Sequence, residues 1–301
     1  MIDKELLYKN LNEGIIDERF RAFGLNLNKS LDLIKQHGGL SRIVNNFEDK
    51  IIIVVGAGPS LDKNFDLLKK YQHRDEIIIL STDMALKPLI KHSIYPQYVI
   101  SCETIPVDFF SSIDTKDIHL LAFSCMSNIN LKKWKGAISF YNWMLSNPEY
   151  NVLWEKSGED LGFVATGSIV TTQAVSLALG CRIRSLVLVG NDLGFGARYY
   201  AKESVAYYNS LIKLNRYSVF QTVDMNLSRK KREYEIRRGS RVFYTNSQFL
   251  AAKMWLEELF GKQDIPIYDC SEPGCSEKYV AKISLKDFFK TLQRKRKKKR
   301  R

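Results

Sequence analysis

Ile51-Ile52-Ile53-Val54-Val55-Gly56-Ala57-Gly58-Pro59-Ser60-Leu61 is the stretch on which the fold turns. Five consecutive β-branched residues with no polar interruption read as a buried strand. The strand opens directly into a turn in which two glycines let the backbone approach an anion with no Cβ in the way. Ser60 then stands where a following helix would expose its first N–H groups. A nucleotide-type ligand held by backbone amides is the first functional expectation. No Gly-Lys-Ser or Gly-Lys-Thr follows at P-loop spacing, and the turn is not the full GxGxxG dinucleotide pattern.

Working outward, short apolar runs alternate with amphipathic stretches. Ile51 to Val55, Glu76 to Leu80, Tyr98 to Ser101, Ile118 to Phe123, Ala137 to Tyr141 and Ser185 to Val189 read as strands. Asn64 to Tyr71, Met84 to His92, Ser168 to Leu179 and Ser247 to Phe260 read as helices between or after them. That rhythm predicts an α/β, Rossmann-like fold, a largely parallel sheet with flanking helices. Upstream, residues 1–46 read as an N-terminal helical segment of two or three helices, with Leu27, Leu31 and Ile34 on one face and His37-Gly38-Gly39 as a stop. Residues 47–290 form the main domain. Within it, about 198–241 breaks the rhythm, rich in Tyr, Asn, Lys and Arg, and reads as a helical or irregular lid insertion.

Composition narrows the class. The chain has 301 residues, 45% of them hydrophobic, enough for a sizeable core. No apolar run approaches the ~20 residues that span a bilayer, and Met1 to Phe20 lacks a signal-peptide core. The expected location is cytoplasmic, with peripheral contact at the inner membrane open to it. Eight of the thirteen excess positive charges sit in Arg294 to Arg301, leaving +5 for the rest. The stretch 291–301 therefore reads as a basic disordered tail able to contact an acidic partner or an anionic membrane surface. No aromatic residue interrupts the basic run, so neither single-strand stacking nor sequence-specific nucleic acid binding is expected. Cys102, Cys125, Cys181, Cys270 and Cys275 are odd in number and lack a CxxC pair, so reduced thiols are expected and no metal ligands are assigned.

In an open α/β sheet ligands sit beyond the carboxyl ends of the strands, so the residues after each strand belong together. They are Gly56, Gly58, Pro59 and Ser60; Ser81, Thr82 and Asp83; Cys102, Glu103 and Thr104; and Gly190, Asn191 and Asp192. A carboxylate at Asp83, Glu103 or Asp192 is suited to bind ribose hydroxyls, to hold Mg²⁺ on a diphosphate, or to take a proton from an acceptor hydroxyl. Thr166-Gly167-Ser168 offers a second anion or carbonyl site, or a plain helix cap. Tyr199 and Tyr200 beside Arg198 offer donors to a leaving phosphate, or packing. The four histidines fall away from this rim, and none is a ready catalytic base.

These residues, in the order Gly56-Ala57-Gly58-Pro59-Ser60-Leu61-Asp62, Asp83-Met84-Ala85-Leu86 and Ile94-Tyr95-Pro96-Gln97-Tyr98-Val99, resemble the 6-hydroxymethylpterin diphosphokinase MptE-like domain family. The likeness runs on through Thr166 to Val170, Val189-Gly190-Asn191-Asp192-Leu193 and Tyr268 to Gly274, covering about Asn46 to Ser276. The same domain is the centre of the motility associated factor (Maf) proteins, linked to glycosylation of flagellin with nonulosonic, sialic-acid-like sugars, and is similar in fold to bacterial sialyltransferases. The resemblance implies a cytidine monophosphate (CMP) sugar donor whose phosphate rests near Gly56 to Ser60. It further implies Asp192 and Glu103 as catalytic carboxylates, and donor contacts from Asp83, Thr166, Gly167, Ser168 and Asn191. The implied acceptor is a glycan, a lipid-linked sugar or a flagellin-like protein, and no metal is required.

Where the diphosphokinase branch would carry paired carboxylates after the third strand, this chain has Ser101-Cys102-Glu103-Thr104, with a single one. A Mg²⁺- and ATP-dependent diphosphokinase and a non-catalytic nucleotide-binding protein stand as the alternatives.

Overall fold

The computed structural model describes residues 4–145, 148–196, 198–206 and 233–299, the segments 4–18 and 295–299 by backbone alone. Nine strands form one parallel sheet in the order β11-β10-β7-β1-β2-β3-β4-β5-β6. They are β1 (Ile51–Val55), β2 (Ile77–Thr82), β3 (Tyr98–Ser101), β4 (His119–Phe123), β5 (Ile138–Trp143), β6 (Phe163–Val164), β7 (Ser185–Val189), β10 (Ile267–Asp269) and β11 (Ala281–Lys282). The fold is the Rossmann-like α/β architecture that the strand rhythm predicts. β1 lies in the middle, its five residues all buried, pairing with β2 from Ile51–Ile77 to Val55–Ser81 and with β7 from Ile51–Ser185 to Val55–Val189. A strand covered on both faces has no polar side, which is why its sequence does not alternate.

Successive β1 side chains enter different cores. Ile52 and Val54 join Phe23, Leu27, Ala174 and Val175 on one face. Ile51, Ile53 and Val55 join Phe65, Leu68, Leu89, Leu285, Phe288 and Phe289 on the other. The first face is covered by α1 (Lys4–His37), α6 (Val170–Gly180) and α7 (Ser247–Phe260), the second by α2 (Phe65–Tyr71), α3 (Asp83–Lys91) and α8 (Leu285–Lys299). The short helices α4 (Asn128–Leu131) and α5 (Asn151–Ser157) flank β4 and β5.

Several expectations are corrected. The N-terminal segment is one 34-residue helix followed by two short 3₁₀ turns, in place of two or three helices. No proline interrupts it, and an interior glycine costs about 1 kcal/mol without ending a helix. It stops where expected, at His37, with Gly38 at φ +71° donating its N–H to Ile34 at 2.8 Å. The stretch 198–241 is described only at its two ends. Residues 198–206 pack on the rim, while β8 (Tyr234–Arg238) pairs with β9 (Arg241–Thr245) as an antiparallel hairpin; 207–232 lie outside the described residues. The stretch 291–301, expected as a disordered tail, continues α8 as helix through Lys299. Short β6, β10 and β11 were not expected at all, being too brief to leave a periodic signal.

No described helix is long and apolar enough to cross a membrane. A cleft of about 570 Å³ opens at the amino ends of β2, β3 and β4, lined by Lys50, Arg74, Tyr98, Lys116 and His119 among others. It lies on the opposite side of the sheet from the strand ends considered next.

Candidate functional site

The chain order steps from β1 outward to β6 and then returns through α6 to β7 on the other side of β1. The loops after β1 and β7 therefore flank the switch point, the place where open α/β sheets leave room for a ligand. Gly56 N–H donates to Val189 at 2.9 Å and Gly58 N–H to Gly190 at 2.7 Å, joining the two loops. Both glycines are obligatory by contact. A Cβ on Gly56 would stand 2.4 Å from Asn191 Oδ1, and one on Gly58 would stand 2.6 Å from Asp192 Cγ.

Asp192 is the clamp of this junction. Its carboxylate accepts from Ser60 N–H at 2.8 Å, from the Ser60 hydroxyl and from Glu272 N–H at 3.2 Å. It is 3% exposed, and burial pushes its carboxyl up to about 7 against the hydrogen bonds from Ser60 and Glu272. Asn191 is equally occupied: its amide donates to Val54 at 2.8 Å and Val189 at 3.1 Å, and its Oδ1 accepts from the Thr171 hydroxyl at 2.9 Å. Both residues thus hold the glycine loop in shape.

The loop's amides are used up in the same way. Gly56, Gly58 and Ser60 donate within the protein and Pro59 has no N–H. Pro59 and Ser60 open a 3₁₀ turn, Pro59–Lys63, in place of the α-helix expected after the loop. The helix end at this place belongs to α6. Its N-cap, Ile169, has no side chain to cap it, and its second residue, Thr171, touches Asn191. An uncapped first turn leaves backbone N–H groups in need of an acceptor. Thr166-Gly167-Ser168 leads into this turn without capping it. Gly167 N–H donates to Thr172 Oγ1 at 2.8 Å and packs against Trp255, and Ser168 is at φ +80°.

A second polar group gathers beyond β2 and β3. Asp83 opens α3 at 4% exposure, accepting from the Ser101 hydroxyl at 2.6 Å and from Met84 N–H at 2.7 Å. Burial pushes its carboxyl up to about 7 despite those bonds, with the Glu103 charge adding to the rise. Glu103 is more accessible than Asp83 and Asp192, its side chain 23% exposed, steadied by Thr104 N–H at 3.0 Å and Arg19 at 3.4 Å. Between them the Cys102 thiol is held well above its usual range, first by burial and then by Asp83. Ser81 and Thr82, expected on the rim, are buried as the last residues of β2.

The residue that sequence reasoning missed is Gln173. Buried in α6, it accepts from Tyr141 at 2.6 Å and Trp143 at 3.0 Å, and donates to Cys102 Sγ and Thr166 Oγ1, each at 3.2 Å. One side chain thereby ties β3, β5 and the Thr166 turn together. The signal was faint: a glutamine inside an otherwise apolar helix. Asp269 was missed as well. It accepts from Ser271 N–H, Cys275 N–H and Lys282 Nζ, and so shapes the loop that delivers Glu272 N–H to Asp192.

The segment 198–206 crosses the rim as a strap. Arg198 pairs with Asp62 at 2.6 Å, Lys202 N–H reaches the same carboxylate at 3.1 Å, and Ala201 N–H donates to Ala57 at 2.8 Å. Tyr199 is buried, stacked on Phe249, with its hydroxyl accepting from Asn246. All five cysteines are free thiols, and no group of three metal-ligating side chains occurs among the described residues.

No curated protein matches this chain. A family model described as 6-hydroxymethylpterin diphosphokinase MptE-like matches residues 26–198. Among solved structures, the chain is similar to the MAf glycosyltransferase from Magnetospirillum magneticum AMB-1, with TM-score 0.55 and 17% identity, covering 83% of this chain and 39% of that one. This chain thus spans about two fifths of that enzyme's length, and at such identity the likeness is one of fold.

Proposed function

This chain belongs to the 6-hydroxymethylpterin diphosphokinase MptE-like family, and we propose that it is a glycosyltransferase of the Maf type. On this reading it transfers a CMP-linked nonulosonic, sialic-acid-like sugar to a glycan, lipid-linked sugar or flagellin-like protein. The observation that carries the proposal is the switch point itself. The uncapped amino end of α6 is tied through Thr171 to Asn191, whose side chain packs on the glycine turn, and free helix-end N–H groups beside such a turn suit an anionic leaving group of one phosphate.

The chemistry assigned to the rim is a displacement at the anomeric carbon. The acceptor hydroxyl forms the new C–O bond, the bond from carbon to phosphate oxygen breaks, and CMP leaves with that electron pair. Glu103, a half-buried carboxylate beside Arg19, is the candidate to take the hydroxyl proton. Asp83, tied to Ser101 with its carboxyl pushed up to about 7 by burial, is the candidate for contact with donor hydroxyls. Thr166 and Ser168 are assigned donor contacts on the same reading. Asp192 and Asn191, assigned to chemistry and to donor contact by the sequence, become positioning residues on this reading, since their polar atoms hold the loop. Hydrogen-bond donors can stabilise a single-phosphate leaving group without a metal.

Thermal unfolding of the purified chain with CMP, cytidine triphosphate and ATP, each with and without Mg²⁺, tests the proposal. A ligand at about 100 times its Kd stabilises the native state by about 2.7 kcal/mol. The expected result is a shift with CMP that persists in chelator and is lost in Gly58→Ala, whose new methyl meets Asp192. A shift with ATP that requires Mg²⁺ overturns the transferase in favour of the diphosphokinase. No shift with any ligand leaves the non-catalytic reading.

A further inference from the structure

We propose that the amino-end face of the sheet, opposite the candidate site, is a docking surface for an anionic phospholipid bilayer. The reasoning starts from direction. In a parallel sheet the helix after each strand runs back from the carboxyl rim to the amino edge. α2 does so after β1, and α8 does so after β11, the two lying side by side: Tyr71, the last residue of α2, stacks on Phe289 at 3.8 Å and accepts from Gln293 Nε2 at 2.9 Å. The basic run that begins at Arg294 therefore leaves the domain at the amino edge, carried as helix through Lys299.

It does not leave alone. Lys69 and Lys70, in the last turn of α2, are exposed beside it, and the neighbouring cleft adds Lys50 and Lys116, its Arg74 being paired with Glu76 at 2.7 Å. Asp75 and Asp117 line the same cleft and offset part of that charge, while the sequence from Arg294 to Arg301 holds eight consecutive cations and no acidic residue. The apolar side of α8 is already committed to the core through Leu285, Phe288 and Phe289. The run from Arg294 on carries no apolar residue, so contact would be electrostatic at the headgroups and not by insertion. Clusters of four to eight Lys or Arg with this character suit anionic lipid, at roughly a fivefold gain in affinity per charge near the surface. The absence of aromatic residues in the run disfavours single-stranded nucleic acid, which is held by stacking. Docking by this edge would turn the carboxyl rim toward the aqueous phase.

Co-sedimentation of the full chain with phosphatidylcholine vesicles, with and without phosphatidylglycerol, tests this. Binding is expected only with phosphatidylglycerol, weakening as salt is raised. Two variants separate a face from a sticky tail. Replacing Lys295 and Lys297 to Lys299 by Gln should lower partitioning by more than tenfold, and Lys69→Gln with Lys70→Gln, in a helix of the folded domain, should lower it by about tenfold. Equal binding to neutral vesicles overturns the proposal. So does a Lys69 and Lys70 variant that binds as the wild type does, which would leave only an adhesive run. Tighter binding to a duplex DNA fragment than to the anionic vesicles at the same salt overturns it in favour of nucleic acid.

Discussion

At the scale of the single residue, the two carboxylates with raised pKa do different work. Asp192 is hydrogen-bonded on both oxygens by the loops it joins, whereas Asp83 faces Ser101 and the rim cluster. Burial raises Asp83 from 3.8 to about 7, so its protonated form is favoured by folding. The sign follows: its contribution to stability is fully present below the unfolded value, about pH 3.8, and is lost as pH rises through about 7. Asp83→Asn keeps an acceptor for Met84 N–H and turns a donor toward Ser101, with no charge to desolvate. The stability of wild type relative to this variant should therefore fall between about pH 4 and pH 8, measured by urea unfolding across that range. A difference that is flat or rises with pH would mean that Asp83 ionises freely in the folded protein. Asp83 was legible as a rim residue in the sequence. Its protonation was not, because it depends on Ser101 and Glu103 from another strand.

At the scale of the element, α6 is the part that turns the sheet into a site. It crosses from β6 back to β7, sets its uncapped end against Asn191, and ties two strands and a turn through Gln173. Gln173→Leu keeps the volume but leaves the Trp143 indole N–H without its acceptor and the Tyr141 hydroxyl with only the Ser101 carbonyl at 3.4 Å. Each stranded group costs about 1–3 kcal/mol, so a loss of about 2–5 kcal/mol in chemical unfolding is expected. The strap 198–206 should respond to Asp62→Asn, which weakens the Arg198 pair. Limited proteolysis should then cut the strap several-fold faster, with the melting temperature little changed, because a half-buried pair of this kind holds a segment and not the core. The helix itself was visible in the sequence, since its apolar period and the closing Gly180 are local. Its starting point was misplaced by two residues, because Ser168 adopts a positive φ and the hydrogen bonds of the Thr166 turn come from Thr172 and Gln173.

At the scale of the molecule, a single central strand feeds two cores, and α8 belongs to the second of them despite the basic run it carries. Phe289 is 1% exposed and stacked on Tyr71. Phe289→Ala should cost about 3–5 kcal/mol, as for a large ring removed from a close-packed interior. Removing Lys295 to Arg301 should leave the unfolding midpoint unchanged. The contrast places the boundary between core and charge within one helix.

The sequence by itself determined what depends on neighbours along the chain: strands β1 to β5 and β7, the helices between them, the glycine turn and the family. Five β-branched residues followed by two glycines admit few backbone conformations, and a run without polar residues has to be covered on both faces. Only the tertiary structure decided which polar residues face a ligand and which face each other. Ser60 and Asp192 are 132 positions apart and meet in hydrogen bonds that no local pattern encodes. A buried carboxylate must find donors wherever the fold brings them, and here the fold brings them from the glycine loop, leaving Glu103 more open than Asp83 or Asp192.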